Sequence, residues 1–307
     1  MTIYGWKCIC YTIKDSELPC ETVQCLDTVS LDRSKNREVY NFNAGREIQK
    51  RKNTGDFILC FNGIDNQEAA ASNSDLTIIE PSIGYDPSAV FAPFRIFTSY
   101  SQMHYYYGIH RMMMTPSWWD AVIPNSFDPC EFEYNNTKED YLLIFGRVLD
   151  TKGIHIAIQA SQKLGIKLVI AGPGSLQDIG YNKIPVGVEV VGLCNRSQRR
   201  DLMSKATAIL GPTYYIEPFG NMIVEGYFSG TPAITCDWGG FVDTVVPGVT
   251  GYRCREFKDF LTAIKNIDKI DSKVCYDYAV QNYSEHSVHQ KFNQYLEKLK
   301  QKDFYRE

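Results

Sequence analysis

No apolar run in this 307-residue chain is long enough to cross a bilayer, and the first segment, Met1 to Thr12, is short and interrupted by Lys7. That leaves neither a membrane span nor a secretory leader to be expected. An excess of charge is missing too. Thirty-two Lys and Arg stand against 36 Asp and Glu, a formal net charge of −4. This gives no electrostatic case for nucleic acid or an anionic membrane as partner. Short basic runs, Lys50-Arg51-Lys52 and Arg196 to Arg200, read as solvated faces. The ten cysteines lack the paired CxxC spacing of a zinc site, and nothing suggests a small disulfide scaffold. Reduced thiols in the cytoplasm are the expectation. Internal repeats and low-complexity tracts are absent.

What is present is an ordinary globular composition, 44% hydrophobic with 20 tyrosines and 16 phenylalanines, long enough for two domains with their own cores. The second half alternates. Strands are expected at Asp140 to Phe145, Lys167 to Ala171, Val188 to Gly192, Ala208 to Gly211 and Pro232 to Thr235. Helices are expected at Gly153 to Lys163, Arg196 to Lys205 and Asn221 to Ser229. Such alternation implies a parallel sheet covered on both faces, an α/β fold. In the first half, Asp56 to Gly63, Leu76 to Glu80, Phe94 to Ser99 and Ala121 to Asn125 look like strands, and the polar stretch from Ser126 to Thr137 looks like a linker. The tail is helical from Ser272.

Turns following the predicted strands of the second half should all open on one edge of the sheet. They are Gly146-Arg147, with Lys152-Gly153 at the next helix start, then Gly172-Pro173-Gly174, Gly192-Leu193 and Ile216 to Gly220. In the last, Glu217 lies beyond a strand's carboxyl end and Glu225 about a turn and a half into the following helix. The free N–H groups of that helix start favour an anion. Two carboxylates so placed suit acid–base chemistry, or a charged loop beside a solvated helix face. Arg147 and Lys152 suit a diphosphate, or a surface pair.

The ordered combination of Phe145-Gly146-Arg147…Lys152-Gly153, Ala171-Gly172-Pro173-Gly174, Gly192, Glu217-Pro218-Phe219-Gly220…Glu225, Gly230-Thr231-Pro232, Gly239-Gly240 and Gly248-x-x-Gly251 resembles the nucleotide-sugar domain of family 4 retaining glycosyltransferases. Ala121 to Asp128 is similar to that family's hinge segment, and the likeness covers residues 121 to 290. It implies a GT-B architecture, two Rossmann-like domains with parallel sheets facing a central cleft. Residues 1–128 would form the acceptor-side domain and 129–285 the donor domain. A C-terminal helix, from about 286 to 307, would pack back onto the first.

The resemblance also implies roles. Arg147 and Lys152 would bind the donor diphosphate and stabilise it as leaving group, with Gly146 and Gly172 at the turns beside it. Glu217 would face the donor sugar, and the amides of Phe219, Gly220 and Asn221 would complete the phosphate and sugar contacts. Glu225 would accept from the ribose hydroxyls, while Gly174 and Leu193 would border the base. Asp243 stands where many relatives have Glu. Retention in the family is explained by attack on the face the diphosphate leaves, a donor phosphate oxygen taking the acceptor proton. No cofactor is then needed, nor a metal, and no Asp-x-Asp triplet occurs.

The first half departs from the family pattern: it is short, and no Gly-Gly loop follows the apolar segment Ile3 to Ile13. Its expected cleft contributors are Glu80 to Tyr85 and the aromatic run Ser99 to Gly108, whose tyrosines suit sugar stacking or core packing. His104 is its polar candidate, on a loop that could reach the donor sugar. The expected activity is retaining transfer of a sugar from a nucleoside diphosphate sugar to a hydroxyl acceptor, a glycan foremost. A nucleotide-sugar epimerase or hydrolase of the same architecture, and a catalytically silent nucleotide-sugar-binding module, are the alternatives.

Overall fold

The structure is a computed structural model that describes residues 2–301 except Tyr4, Asp15, Glu17 and Thr28. The chain divides into two compact units. The first takes the residues up to Phe97, Tyr105–Ile123 and the chain from Phe292; the second takes Thr98–His104 and Pro124–Lys291.

In the first unit, β1 (Thr2–Ile3) pairs antiparallel with β2 (Trp6–Lys7), and β3 (Ile9–Ile13) pairs parallel with β4 (Glu21–Leu26). Helix α1 (Arg33–Arg51) starts where Asp32 accepts from the amides of Ser34 and Lys35, which satisfies two of the donors a helix start leaves open. It buries Ala44 and Ile48, and Ala44 packs with Val23 and Cys25 of β4 and with Ala69 of α2 (Gln67–Ala71). A second, four-stranded parallel sheet runs β5 (Phe57–Leu59), β6 (Thr77–Ile83), β7 (Phe94–Phe97) and β8 (Ala121–Val122) in that order. Strand β6 buries Ile79 and Ile83 completely.

Glu80, expected near a ligand, is fully buried instead. It accepts from the Tyr85 hydroxyl (2.5 Å) and from the amides of Phe91 and Ala92 (2.9 Å each). A carboxylate so surrounded ties the loop after β6 to the strand, because leaving it unpaired there would be costly. The aromatic run is helix α3 (Tyr100–Ile109), not a loop.

The second unit is one six-stranded, wholly parallel sheet. Its strands are β9 (Tyr141–Phe145), β10 (Lys167–Ala171), β11 (Val188–Gly192), β12 (Ala208–Gly211), β13 (Ala233–Cys236) and β14 (Gly251–Cys254), in the order β11-β10-β9-β12-β13-β14. The central strands are buried along nearly their whole length, as continuous apolar runs require. Between them run α4 (Ile154–Leu164), α5 (Arg196–Lys205), α6 (Asn221–Phe228), α7 (Phe241–Thr244) and α8 (Phe257–Lys265), followed by α9 (Ser272–Tyr283) and α10 (Glu285–Gln301). Helix α4 turns Ile154, Ala157, Ile158 and Ser161 inward, the stripe its sequence spacing predicts.

Residues 124–132 are no free linker. Phe127 exchanges backbone hydrogen bonds with Tyr283 and Glu285, and Phe132 stacks on Phe228 with centroids 5.2 Å apart. The sequence expectation of a boundary at 128 therefore differs from the compact units, which pass Thr98–His104 and 124–128 to the second. The last six residues of the expected C-terminal helix lie outside the described residues.

Candidate active site

Because all six strands of the second unit are parallel, the loops after them leave from one edge of the sheet. From β9 the chain steps outward to β10 and β11, then returns past β9 to β12. Loops leaving β9 and β12 thus diverge, and a crevice opens at such a switch point. Arg147 and Lys152 follow β9; Tyr215 and Glu217 follow β12.

The loop after β9 closes with a single 3-10 turn, Asp150–Lys152, and then Gly153. Gly153 has φ +66°, and a Cβ there would lie 1.9 Å from the Pro212 carbonyl oxygen. Glycine therefore lets this turn sit directly against the chain leaving β12, where the Tyr214 amide donates to the Thr151 carbonyl (2.8 Å). The close approach delivers Lys152 to Glu217, Nζ to Oε2 at 2.9 Å, with side chains only 18% and 16% exposed.

Tyr215 joins them. Its hydroxyl accepts from Lys152 and donates to Glu217, and the ammonium lies 4.8 Å from its ring centroid. Burial, and then the charge of Glu217, push this phenol far above its ordinary range, while the charge of Arg147 pulls the other way. The hydroxyl thus stays protonated and donating. Arg147 itself is exposed.

The Glu217 loop is held from behind. Its carbonyl accepts from the Gly240 amide (2.6 Å), and the Pro218 carbonyl accepts from the Ser99 hydroxyl (2.5 Å). Phe219 is buried against Tyr283, ring centroids 5.7 Å apart. Gly220, at φ +89°, is the N-cap of α6 and offers no side chain, so the first-turn amides of α6 are not capped by it. Asn221 accepts from the Asn125 side-chain amide (2.8 Å).

One turn on, Glu225 is 14% exposed and pairs with Arg199 of α5, Oε1 to Nη2 at 2.5 Å. Burial raises its carboxyl above the usual range, and Arg199 opposes that rise. At the sheet edge, the Gly146 amide donates to Ala171 and the Gly172 amide to Gly192. Val148 donates to Pro173 beside Gly174, and Leu193 is 77% exposed.

Of the residues singled out in the sequence, Lys152 and Glu217 touch, and Arg147 acts on their shared phenol. Gly146, Gly172 and Gly174 lie along the same edge. Phe219, Gly220, Asn221 and Glu225 follow one another into α6. His104 is the exception. It lies on helix α3, exposed, with its ring 6.2 Å from that of Tyr100, and no contact ties it to Glu217. Its segment does belong to the second unit, through Ser99 and through Ser101, whose hydroxyl donates to Gly239 (2.8 Å). Tyr215 and Arg199 were missed. Tyr214 and Tyr215 lie in a bend beyond β12 that leaves Tyr214 exposed and turns Tyr215 inward; only its position two before Glu217 hinted at it.

The family model described as glycosyl transferases group 1 matches residues 131–272, the stretch from just before β9 to the start of α9. That stretch is similar to a group 1 glycosyltransferase domain. It is 30% identical over 163 residues to a glycogen synthase of Mycobacterium tuberculosis, covering 48% of this chain and 39% of that protein. The match thus spans about two fifths of that relative's length.

Among solved structures, sucrose-phosphate synthase from Thermosynechococcus elongatus superposes with TM-score 0.73 at 18% identity, over 96% of this chain and 90% of that one. Anabaena HepE, solved with UDP and glucose, gives 0.68 at 16%, over 91% and 86%. At those identities the likeness is one of fold, and the fold is GT-B. Within the matched residues lie both carboxylates, both cations, Tyr215 and Arg199. Among the described residues, no helix is long and apolar enough to cross a membrane.

Proposed function

We propose that the chain is a cytoplasmic, retaining glycosyltransferase that moves a sugar from a nucleoside diphosphate sugar to a hydroxyl acceptor, a glycan foremost. The observation that carries this reading is the Lys152–Tyr215–Glu217 cluster at the switch point, flanked by Arg147 and the first turn of α6. A diphosphate gathers charge as the glycosyl bond breaks, and fixed cations and amides aimed at it lower that barrier without reorganising. Arg147, Lys152 and the α6 amides fill that role in the proposal, which therefore includes no metal and no cofactor. Glu217, held at one oxygen by Lys152 and Tyr215, takes the sugar hydroxyls. Glu225 takes the ribose. No side chain acts as nucleophile: the acceptor attacks on the face the diphosphate leaves, and a phosphate oxygen of the departing group receives its proton. His104 enters as a donor-sugar contact from α3. The complex of HepE with UDP and glucose supports a nucleoside diphosphate as the ligand class.

The test is release of nucleoside diphosphate from a panel of donor sugars, with and without glycan acceptors. Release that rises with acceptor is expected. Release indifferent to acceptor indicates a hydrolase or epimerase, and tight binding without release indicates a silent binding module; either would overturn the proposal.

A further inference from the structure

Three arginines on α5 have three different fates. Arg196 pairs with Glu131 in the open (3.0 Å), and Arg200 donates to the Phe132 carbonyl (3.4 Å). Arg199 alone turns to α6 and takes Oε1 of Glu225. Its guanidinium lies 5.7 Å from the Phe132 ring centroid and 5.8 Å from that of Phe145, so two aromatic faces locate it as well as the ion pair. Phe145 is the last residue of β9, immediately before the Gly146-Arg147 turn. Phe132 is in turn stacked on Phe228. The arginine is therefore fixed to the same sheet edge as the cations.

A largely buried carboxylate without a partner is expensive and takes up a proton instead. A carboxylic acid would present one of its oxygens as a donor, whereas a vicinal diol binds best to an acceptor-only group. We propose that Arg199 is a positioning residue: it holds Glu225 as a carboxylate with Oε1 engaged, so that Oε2 is presented to the vicinal hydroxyls of the donor's ribose. This rests on the donor-site reading above.

The charged groups acting on Glu225 are Arg199 from α5 and Glu131 from the turn Pro129–Glu131, the latter offset by Arg196. Burial is the largest influence and already raises the carboxyl. Without Arg199 that rise is unopposed, and protonation reaches further toward neutral pH. Ligand affinity is then lost as pH falls through the higher value and regained as pH rises above it.

The experiment measures, by titration calorimetry from pH 5.5 to 9, the affinity of UDP, GDP and ADP, and of the 2′-deoxy form of the tightest. The proteins are the wild type, Arg199→Met, Arg199→Lys and Glu225→Gln. Expected for Arg199→Met is about a tenfold or greater loss near neutral pH that shrinks toward pH 9, and insensitivity near neutral pH to removal of the 2′-hydroxyl. Arg199→Lys, which keeps the charge, should retain the wild-type pH profile even if affinity falls. A loss in Arg199→Met that is the same at every pH marks a merely structural arginine and overturns the inference, as does a wild-type profile. Should Arg199→Met not fold, a wild-type-like sensitivity of Arg199→Lys to the 2′-hydroxyl upholds the inference and its loss overturns it. If Glu225→Gln binds like wild type, the donor-site reading fails instead.

Discussion

Replacing Tyr215 with Phe removes one oxygen from the centre of the Lys152–Glu217 cluster and nothing else. The ion pair at 2.9 Å remains, so neither charge is stranded. What is lost is a hydroxyl that donates to Glu217 and accepts from Lys152. A hydrogen bond to a charged group contributes about 1.5–3 kcal/mol, and with the ion pair surviving the net loss should fall near 1–2 kcal/mol. If the hydroxyl aligns both groups for the transition state, that energy is lost from kcat/KM for the donor, about 5- to 30-fold. Because the phenol is pushed far above its ordinary range, it does not ionise across neutral pH, and the ratio of wild-type to variant rates should stay level from about pH 6 to 9. Steady-state kinetics over that range, with thermal unfolding of both proteins, tests the point. Unchanged kcat/KM, or a ratio that changes steeply with pH, would refute the reasoning.

Other outcomes follow from the same geometry. Arg147→Ala should lower turnover more than donor affinity, since its exposed side chain acts on charge that develops late; an unchanged kcat in steady-state assays contradicts that role. His104→Ala should lower kcat about tenfold or more with the fold intact; full turnover would assign this exposed histidine to the surface. Lys138 is partly buried and donates to Ser204, Ser229 and Thr231 oxygens at 2.8–3.0 Å. Lys138→Met should therefore destabilise the protein by about 2–4 kcal/mol in urea unfolding.

Burial also pushes the Lys138 ammonium down to about 8 from 10.5. The unfolded chain then binds more protons than the folded one between those values, and wild-type stability gains with rising pH. The gap between wild type and Lys138→Met should widen from pH 8 to 10; a constant gap would remove the linkage.

The second unit was legible because its strands are short buried runs, such as Leu142-Leu143-Ile144, separated by helices that start at a glycine turn or a side-chain cap. Asn195 and Gln198 form the capping box that starts α5 at the expected residue. Strand β14 and helix α8 were passed over, since Gly251-Tyr252-Arg253-Cys254 carries little apolar signal although Gly251 and Cys254 are buried. In the first unit the pattern fails for physical reasons. Helix α1 has few apolar residues and relies on Asp32 and on packing against β4, which local periodicity does not report. Strand β4 has only three buried side chains, and α3 has consecutive tyrosines on every side, so neither shows a clean period. At the candidate site, turn glycines and charged residues were readable as an ordered set. Partners supplied by other elements were not. Arg199 looks like any surface arginine until α5 and α6 are packed together, and Tyr215 looks like its neighbour Tyr214 until the chain direction is known.

Retaining sugar transfer from a nucleoside diphosphate donor, at the edge between β9 and β12, is the activity proposed for this chain. Its most direct measurement is the proton NMR spectrum of the product formed from an α-linked nucleoside diphosphate hexose and a glycan acceptor, followed from the first turnover. The account predicts a new α-anomeric signal on the acceptor, diminished in Arg147→Ala and in Tyr215→Phe. A β-linked product, or free sugar accumulating regardless of acceptor, would contradict it.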